Sequence, residues 1–213
     1  KKILTIFWAL ALILALGVCA LAEYPVTLTD QAGREVTIES RPEHIVSGYY
    51  ISTSACIALG LSDRIAAVEA KADTRNIYAL SAPELISLPN VGSAKNFNLE
   101  ACLAAEPDLV ILPKRLSEAA ESISEFDIPV LLVNPEDDEL LAQMILLIGV
   151  ATETEDRATD LNAFILTQLG MCQELLKNET PVTALVLGNS SKLTCAPNGM
   201  YQSSLLENAC AVN

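Results

Sequence analysis

The hydrophobic pattern of the chain changes period several times, and each change marks a predicted element. Residues 26–38 alternate apolar and polar positions around a turn at residues 30–33, which indicates a β-hairpin. Short, mostly apolar runs follow at positions 44–47, 64–68, 109–112 and 128–133. Such runs are typical of strands that are buried on both faces of a parallel sheet. The segments between them have helical spacing, so the pattern predicts alternating strands and helices.

Caps and helix breakers define the ends of two of these helices. Gly60 is the expected C-terminal cap of the helix that follows the first apolar run. Asn98 is a favourable N-cap, and Glu100 places a carboxylate in the first turn, where a helix N-terminus favours negative charge. Pro107 is expected to end that helix before the next strand begins.

The later part of the chain contains further helical patterns. Ser117 is expected to cap one helix, and Pro135 to occupy the first position of another. Residues 153–177 contain no proline and predict a helix about 37 Å long at 1.5 Å per residue. A strand over residues 182–187 and a helix from Tyr201 are predicted after it.

The predicted fold is α/β. A parallel-sheet lobe covered by helices on both faces is joined by a long connector helix to the start of a second α/β lobe. The N-terminal lobe spans residues 23–150, the connecting helix residues 151–179, and the beginning of the C-terminal lobe residues 180–213. Roughly thirty residues are too few for an independent α/β layer with its own core. We therefore expect a C-terminally truncated chain with an incomplete second lobe.

Residues 1–22 are predicted to be a signal peptide and not part of the fold. Two lysines precede an uncharged apolar stretch, and residues 20–22 are Ala-Leu-Ala, a typical cleavage motif. Residues 16–19 also resemble a lipobox, although the valine before Cys19 is bulkier than the usual small residue. Cleavage after Ala22 is favoured, and a lipid anchor at Cys19 is the alternative. Both predict an exported protein, either periplasmic or extracellular and membrane-associated.

Charge narrows the range of partners. The formal net charge is −14, and it becomes −16 when the two lysines of the signal peptide are removed. Such a charge argues against binding of nucleic acid or of anionic lipid surfaces. The few cations of the chain therefore become individually informative.

Five cysteines lie beyond the signal peptide, with no CxxC pair and no metal-ligand spacing. Cys56, Cys102 and Cys172 fall in apolar helical patterns, which predicts small buried side chains. Cys195 and Cys210 could form a disulfide in an oxidising compartment, and the sequence leaves this open. No metal site and no resident cofactor are expected.

The segment 91–112, VGSAKNFNLEACLAAEPDLVIL, is preceded by VTLTDQAGREVTI, RPEHIVS and ALGLSDRIAAV and followed by IPVLLV. In this order the motifs resemble the substrate-binding proteins of ABC importers for iron-siderophores, haem and vitamin B12. The resemblance implies two α/β lobes joined by one rigid helix, with the ligand between them. It also implies a monomeric, non-enzymatic protein that delivers its solute to a membrane permease. Glu100, the acid of the NLE motif, is implied to dock on an arginine pocket of that permease, since arginine recognises carboxylates bidentately.

Ligand contacts are expected where the parallel strands end, because open parallel sheets bind ligands at the carboxyl ends of their strands. Five of the eleven cations beyond the signal peptide fall in those loops, which suggests a local positive cleft for an anionic chelate. Two tyrosines could stack on the ligand or donate hydroxyl groups to it. The predicted ligand-binding residues are Tyr49, Tyr50, Lys71, Arg75, Lys95, Lys114 and Arg115.

The favoured solute is a ferric-siderophore-type metal chelate, and a corrinoid or haem is the alternative. Lys71 and Ala94 stand where cobalamin-binding relatives present aromatic walls, which counts against a corrinoid. Haem needs an axial ligand, which Tyr49 or Tyr50 could supply. His44 is the single histidine and is expected to be structural, so no nucleophile–base pair can be assembled and no enzyme is expected. A truncated product without binding activity is the remaining alternative.

Overall fold

The structure, a computed structural model, describes residues 24–188, 195 and 201–212. The predicted signal peptide lies outside these residues, as does the choice between cleavage after Ala22 and a lipid anchor at Cys19. In the described part of the chain, no helix has both the length and the apolar character needed to cross a bilayer.

Strands and α-helices alternate through most of the central part of the described residues, from β3 to α5. The strands are β1 (Val26–Thr29), β2 (Glu35–Ile38), β3 (Ile45–Ser47), β4 (Ile65–Val68), β5 (Gly92–Ser93), β6 (Asn96–Phe97), β7 (Leu109–Pro113), β8 (Val130–Val133), β9 (Val182–Thr183) and β10 (Ala211–Val212). The α-helices are α1 (Tyr50–Ala58), α2 (Asn76–Ser81), α3 (Leu99–Ala104), α4 (Ser117–Ser124), α5 (Asp138–Thr152), α6 (Glu155–Leu176) and α7 (Tyr201–Asn208). Short 3₁₀ turns cover Ser62–Arg64, Ala72–Thr74, Pro83–Ser87 and Lys114–Leu116.

A four-stranded parallel sheet forms the centre of the molecule, in the order β4-β3-β7-β8. Almost every residue of these strands is buried, as expected for strands covered on both faces. The predicted parallel sheet is therefore confirmed, with strand limits that differ from the predicted ones by one or two residues.

Successive side chains of each central strand enter two different hydrophobic clusters, one on each face of the sheet. Ile111 of β7 belongs to a cluster that contains Ile148 of α5. Its neighbour Leu112 belongs to a second cluster, with Cys102 of α3 and Ile123 of α4. Helices therefore cover both faces, as the pattern of apolar runs predicts.

The β1–β2 hairpin protects one edge of the sheet. The carboxylate of the buried Asp30 accepts hydrogen bonds from the amides of Arg34 at 2.9 Å and Leu132 at 3.1 Å. The amide of Gln31 donates to the carbonyl oxygen of Leu132 at 3.0 Å. These bonds hold the turn of the hairpin against β8 and give partners to an otherwise unpaired edge.

Two of the predicted helix ends are confirmed. Gly60 follows α1 with a φ of +78°, the left-handed conformation that glycine adopts readily after a helix. Asn98 caps α3, because its side-chain oxygen accepts a hydrogen bond from the amide of Ala101 at 3.0 Å.

Two other predictions about helix starts are wrong, the capping role of Ser117 and the first helical position of Pro135. Ser117 already has helical dihedral angles, φ −55° and ψ −40°, because the preceding 3₁₀ turn leads directly into α4, and its hydroxyl therefore caps nothing. Pro135 does not begin α5. The carboxylate of Asp137 accepts a hydrogen bond from the amide of Leu140 at 2.8 Å, and this cap starts the helix at Asp138.

The predicted long helix is present as α6, whose 22 residues span about 33 Å. Its first turns pack closely on α5, since a Cβ atom placed on Gly149 would lie 2.6 Å from Cβ of Ala158. Farther along, side chains such as Phe164 and Leu175 are exposed. The first turns of α6 thus pack on the first lobe and its later part is more exposed, while the division into domains at residues 150 and 180 stays a prediction.

The region after α6 contains less regular structure than predicted. The strand expected over residues 182–187 is limited to Val182–Thr183, because its parallel partner β10 is itself only two residues long. The helix expected from Tyr201 is confirmed as α7. Asn208 at its end donates a hydrogen bond to Asp138 of α5 at 3.2 Å, which ties this region to the first lobe.

The five cysteines in the described residues are all free thiols, including Cys195 and Cys210. Cys56 and Cys102 are buried, as predicted. Cys172 is exposed, which corrects its predicted burial. The reason is that Cys172 lies in α6, a helix that is exposed or half-buried at every residue except Ala158.

Candidate functional site

The carboxyl ends of the four parallel strands place the candidate site at one edge of the sheet. Tyr49 and Tyr50 follow β3, Glu69 follows β4, and Asn134 follows β8. The pair of cations after β7 is Lys114 and Arg115.

A small cavity of about 70 Å³ lies between the ends of β7 and β8. It brings together three of the seven predicted ligand-binding residues, Tyr49, Lys114 and Arg115. Two residues that the sequence analysis did not select, Asn134 and Glu136, complete its polar lining. The cavity therefore combines cations, a phenol, an amide and one carboxylate, which is a set suited to polar groups of a solute.

Tyr49 is a neutral hydrogen-bonding group at this cavity. Burial raises the pKa of Tyr49 to about 12. The ionisable hydroxyl of Tyr50 and the carboxylate of Glu136 add to the rise, and the cation of Arg115 opposes it. The hydroxyl consequently keeps its proton at neutral pH and can donate a hydrogen bond to a bound group.

A second cluster lies at the end of β4 and involves two more predicted residues, Tyr50 and Arg75. Nε of Arg75 donates to Oε1 of Glu69 at 2.9 Å, and Cζ of Arg75 lies 4.6 Å from the centre of the Tyr50 ring. The Tyr50 ring in turn meets the ring of Tyr49 at 5.1 Å and an interplanar angle of 75°. Arg75 and the two tyrosines thus form one continuous set of contacts.

Glu69 is the centre of a buried polar network. The hydroxyl of Tyr78 donates to its Oε1 at 2.8 Å, and the hydroxyl oxygen of Thr53 lies 2.7 Å from its Oε2. The Ser47 hydroxyl oxygen extends the network, at 2.8 Å from that of Thr53. Burial, and then the charge and the hydrogen bond of Glu69, raise the pKa of Tyr78.

The two remaining predicted lysines are placed on the side of the edge near β4. Lys95 lies in the turn between β5 and β6, and this small hairpin is joined to the end of β4 by a bond from the Ala70 amide to the Gly92 carbonyl oxygen at 2.7 Å. Lys71 follows directly after Ala70 in the chain, and both lysines are exposed.

Cations without a carboxylate partner are frequent at the candidate site. Elsewhere, Arg64 has none among the described residues either, but its guanidinium group donates to the carbonyl oxygens of Pro42 and Thr152. Among the described residues, four of the five predicted cations have no carboxylate partner within ion-pair distance. These four, Lys71, Lys95, Lys114 and Arg115, are called the free cations below. Arg75 differs from them because it pairs with Glu69.

Glu100 lies in the first turn of α3, immediately after the Asn98 cap, and is exposed. It takes part in no ion pair with another described residue. Its carboxylate is therefore accessible from solvent at a fixed position on the lobe surface.

Glu69, Asn134 and Glu136 are not among the residues predicted from the sequence. A usable signal existed for the first two, because each directly follows a buried strand, at the edge where ligands bind. No three His, Cys, Asp or Glu side chains converge to hold a metal ion in the portion of the chain that the structure describes.

Comparison with known proteins gives both family and fold matches. Residues 45–212 match the family described as "Periplasmic binding protein". The chain is 29% identical over 159 residues to YvrC of Bacillus subtilis, described as an uncharacterized ABC transporter substrate-binding lipoprotein, a match that covers 72% of this chain and 48% of YvrC. It is 29% identical over 116 residues to the molybdate-binding protein MolA of Haemophilus influenzae, covering 53% of this chain and 33% of MolA.

Solved structures with the same fold include MolA bound to molybdate, with a TM-score of 0.76 and 22% identity over 88% of this chain and 65% of that one. Another is the siderophore-binding protein BauB bound to ferric iron and two acinetobactin molecules, with a TM-score of 0.70 and 16% identity over 89% of this chain and 67% of BauB. The chain spans less than half the length of the curated relatives that it matches.

Proposed function

The chain belongs to the periplasmic binding protein family, and from this premise we propose that it acts as the extracytoplasmic solute-binding component of an ABC importer. The solute is an anionic, metal-containing compound, and a ferric-siderophore-type chelate is the leading candidate. In this proposal the protein captures the solute outside the cytoplasm and delivers it to a membrane permease. The names of YvrC and MolA support this class of function.

The free cations are the observation that carries the proposal. They lie in the loops that follow β4 and β7 and in the hairpin joined to β4, in a chain whose net charge is −14. Most charged groups of this chain are carboxylates, which attract cations, so four cations without a carboxylate partner at the carboxyl end of one sheet are a specific feature. An anionic solute supplies the counter-charge that they lack.

A compact oxyanion is the second candidate solute. The fold and sequence similarity to the molybdate-binding protein MolA favours it. The cavity of about 70 Å³ between β7 and β8 also suits a small anion better than a large planar macrocycle. A corrinoid is less well supported, because Lys71 and Ala94 stand where cobalamin-binding relatives present aromatic walls, and haem stays the remaining alternative.

A binding screen separates these candidates. The purified chain is titrated with ferric citrate, a ferric trihydroxamate, molybdate, haem and cobalamin, and the unfolding midpoint is followed. A solute at 100 times its dissociation constant stabilises the protein by about 2.7 kcal/mol, which gives a clear shift. We expect a ferric chelate to raise the midpoint. If molybdate alone raises it, the oxyanion replaces the chelate, and if an unrelated neutral solute alone does so, the proposal of an anionic solute is wrong.

Docking on the permease is proposed for Glu100. Glu100→Arg should leave solute affinity unchanged and abolish transport in a reconstituted importer, since an arginine pocket repels the new cation. Glu118→Arg is the matched control, because Glu118 is likewise an exposed first-turn acid, of α4. Normal transport by the Glu100 variant would remove this role.

A further inference from the structure

We infer that Arg75 is a positioning residue and not a solute contact, and that buried Glu69 holds its guanidinium group against the ring of Tyr50. The inference deepens the proposed function, on which it depends for the edge of the sheet that the solute approaches. It divides the five predicted cations into four that are available to an anion and one that shapes the aromatic wall beside them.

The first step is the state of Glu69. It is 5% exposed, directly follows β4, and both of its carboxylate oxygens have polar partners. A buried carboxylate requires a counter-charge, because an unpaired charge in the protein interior is strongly unfavourable. Arg75 is the described cation that meets this need, at 2.9 Å from Oε1. Its positive charge is therefore balanced within the protein before any solute arrives.

The second step is the geometry of the guanidinium group. Its Nε is committed to Glu69, while Cζ lies 4.6 Å from the Tyr50 ring centre and 5.8 Å from that of Tyr78. A planar guanidinium can pair with a carboxylate through its edge and stack on an aromatic ring through its face. An ammonium group cannot do both in this way. The contact with Tyr50 thus depends on arginine specifically.

The third step is what the contact holds in place. The Tyr50 side chain is 45% exposed, so packing alone does not fix its ring. Its neighbours with defined geometry are Arg75 on one side and the ring of Tyr49 on the other. Tyr49 lines the cavity that also contains Lys114 and Arg115. Glu69 and Arg75 therefore set the position of the Tyr50 ring, and through it that of Tyr49, without lining the cavity themselves.

The first test needs no solute. Tyrosine ring resonances are recorded by NMR on the ¹³C-tyrosine-labelled chain, and Tyr50→Phe identifies the Tyr50 signal. We expect Arg75→Lys and Glu69→Gln each to move that signal, because each removes the stacked guanidinium from its place. Lys71→Gln, the matched control in the same loop, should leave it unmoved. An unmoved Tyr50 signal in both test variants overturns the inference.

The second test separates positioning from direct contact by salt dependence, with ferric citrate as the probe. The double variant Glu69→Gln/Arg75→Gln removes a charge pair without changing the net charge, which also avoids leaving one charge buried alone. We expect its affinity to fall about two- to fivefold, the effect of losing a cation–π contact. The slope of log Kd against log salt concentration should stay as in the unmodified chain. Lys114→Gln, which removes a free cation, should make the slope shallower.

The outcomes separate this inference from the proposed function. If the double variant reduces the salt slope as much as Lys114→Gln does, Arg75 contacts the anion and the inference is wrong. If ferric citrate does not bind at all, the chelate proposal is weakened, and the ring resonance of Tyr50 still decides the role of Arg75.

Discussion

The β4 end and the β7 end of the sheet edge both carry cations, but they use them differently. At the β4 end, Arg75 is tied to buried Glu69 and stacks on Tyr50. At the β7 end, Lys114 and Arg115 are exposed and have no described carboxylate partner. The difference shows that the number of cations in a loop does not give the charge available to a ligand. That quantity depends on which cations the fold has already neutralised.

The helices that begin after the two loops do not share this difference. α2 follows the β4 loop and α4 follows the β7 loop, and both begin without a side-chain cap. α3, which Asn98 caps, follows the β5–β6 hairpin instead. The contrast therefore lies in the pair of Glu69 and Arg75. We interpret this pair as scaffold, and the free cations as the more accessible part of the proposed site.

The largest expected effect tests the scaffold. Arg75→Ala leaves the carboxylate of Glu69 buried without its counter-charge, and we expect a loss of about 2–3 kcal/mol in the free energy of unfolding. This value is below that of a fully buried pair because the Arg75 side chain is 31% exposed. Lys114→Ala, at the other end, should change stability by less than about 0.5 kcal/mol. Urea unfolding of both variants measures the contrast, and equal losses would show that the two ends do not differ.

The next effect concerns solute binding at the β7 end. Lys114→Glu combined with Arg115→Glu should weaken binding of ferric citrate by about tenfold or more, since two attractive charges become repulsive. The thermal midpoint without solute should be unchanged. A control with the same change in net charge is Arg41→Glu with Lys177→Glu, whose exposed ion pairs contribute little to stability. Equal weakening by the control would attribute the effect to total charge and not to this site.

Much of the fold could be predicted from the sequence alone. The parallel sheet, its two covering layers and the long helix α6 follow from hydrophobic period, because burial dictates the pattern of apolar residues. The loops that carry the candidate site could be predicted because ligands bind at the carboxyl ends of parallel strands. Asn98 could be recognised as a cap because asparagine is a favoured N-cap residue and Glu100 follows it in the first helical turn. Whether the predicted residues bind a solute stays a prediction.

The partner of Arg75 could not be predicted in the same way. It depends on Glu69 turning into the protein, where Tyr78 and Thr53 also meet its carboxylate. Those contacts join α1, β4 and α2, and they follow from three-dimensional packing and not from spacing along the chain. The start of α5 was mispredicted for a related reason. Pro135 and Asp137 are both acceptable near a helix start, and the hydrogen bond that decides between them is a local detail of the fold.

Helix capping provides a smaller effect, which distinguishes the capped helix α3 from the uncapped helix α4. Asn98→Ala should destabilise the chain by about 1 kcal/mol, because the amide of Ala101 loses its acceptor. Ser117→Ala should change stability very little, since Ser117 lies inside α4 and caps nothing. For a chain of this length, about 1 kcal/mol corresponds to roughly 2–4 °C in Tm. Calorimetry on both variants would contradict the assignment of the caps if the larger shift belonged to Ser117→Ala.

The smallest expected effect is on stability at alkaline pH. It concerns Tyr49, which follows β3, the strand between β4 and β7. Its folded-state pKa is raised from 10.0 to about 12, so the folded protein retains a proton that the unfolded chain releases. This contribution to stability is complete below pH 10 and is lost as the pH rises towards 12. Tyr49→Phe should therefore make the decline of stability over that interval shallower.

Spectrophotometric titration of the tyrosine hydroxyls then tests which charged side chains change the pKa of Tyr49. Glu136→Gln removes a charge that raises the pKa of Tyr49, so the phenol should ionise at lower pH. Arg115→Gln removes a charge that lowers this pKa, so ionisation should move to higher pH. Opposite shifts would show that the cation of Arg115 and the carboxylate of Glu136 both lie near the Tyr49 hydroxyl, as expected for residues that line one cavity. If Arg115→Gln has no effect while Glu136→Gln does, Arg115 points away from the cavity in solution, and the β7 end contributes one free cation to the site instead of two.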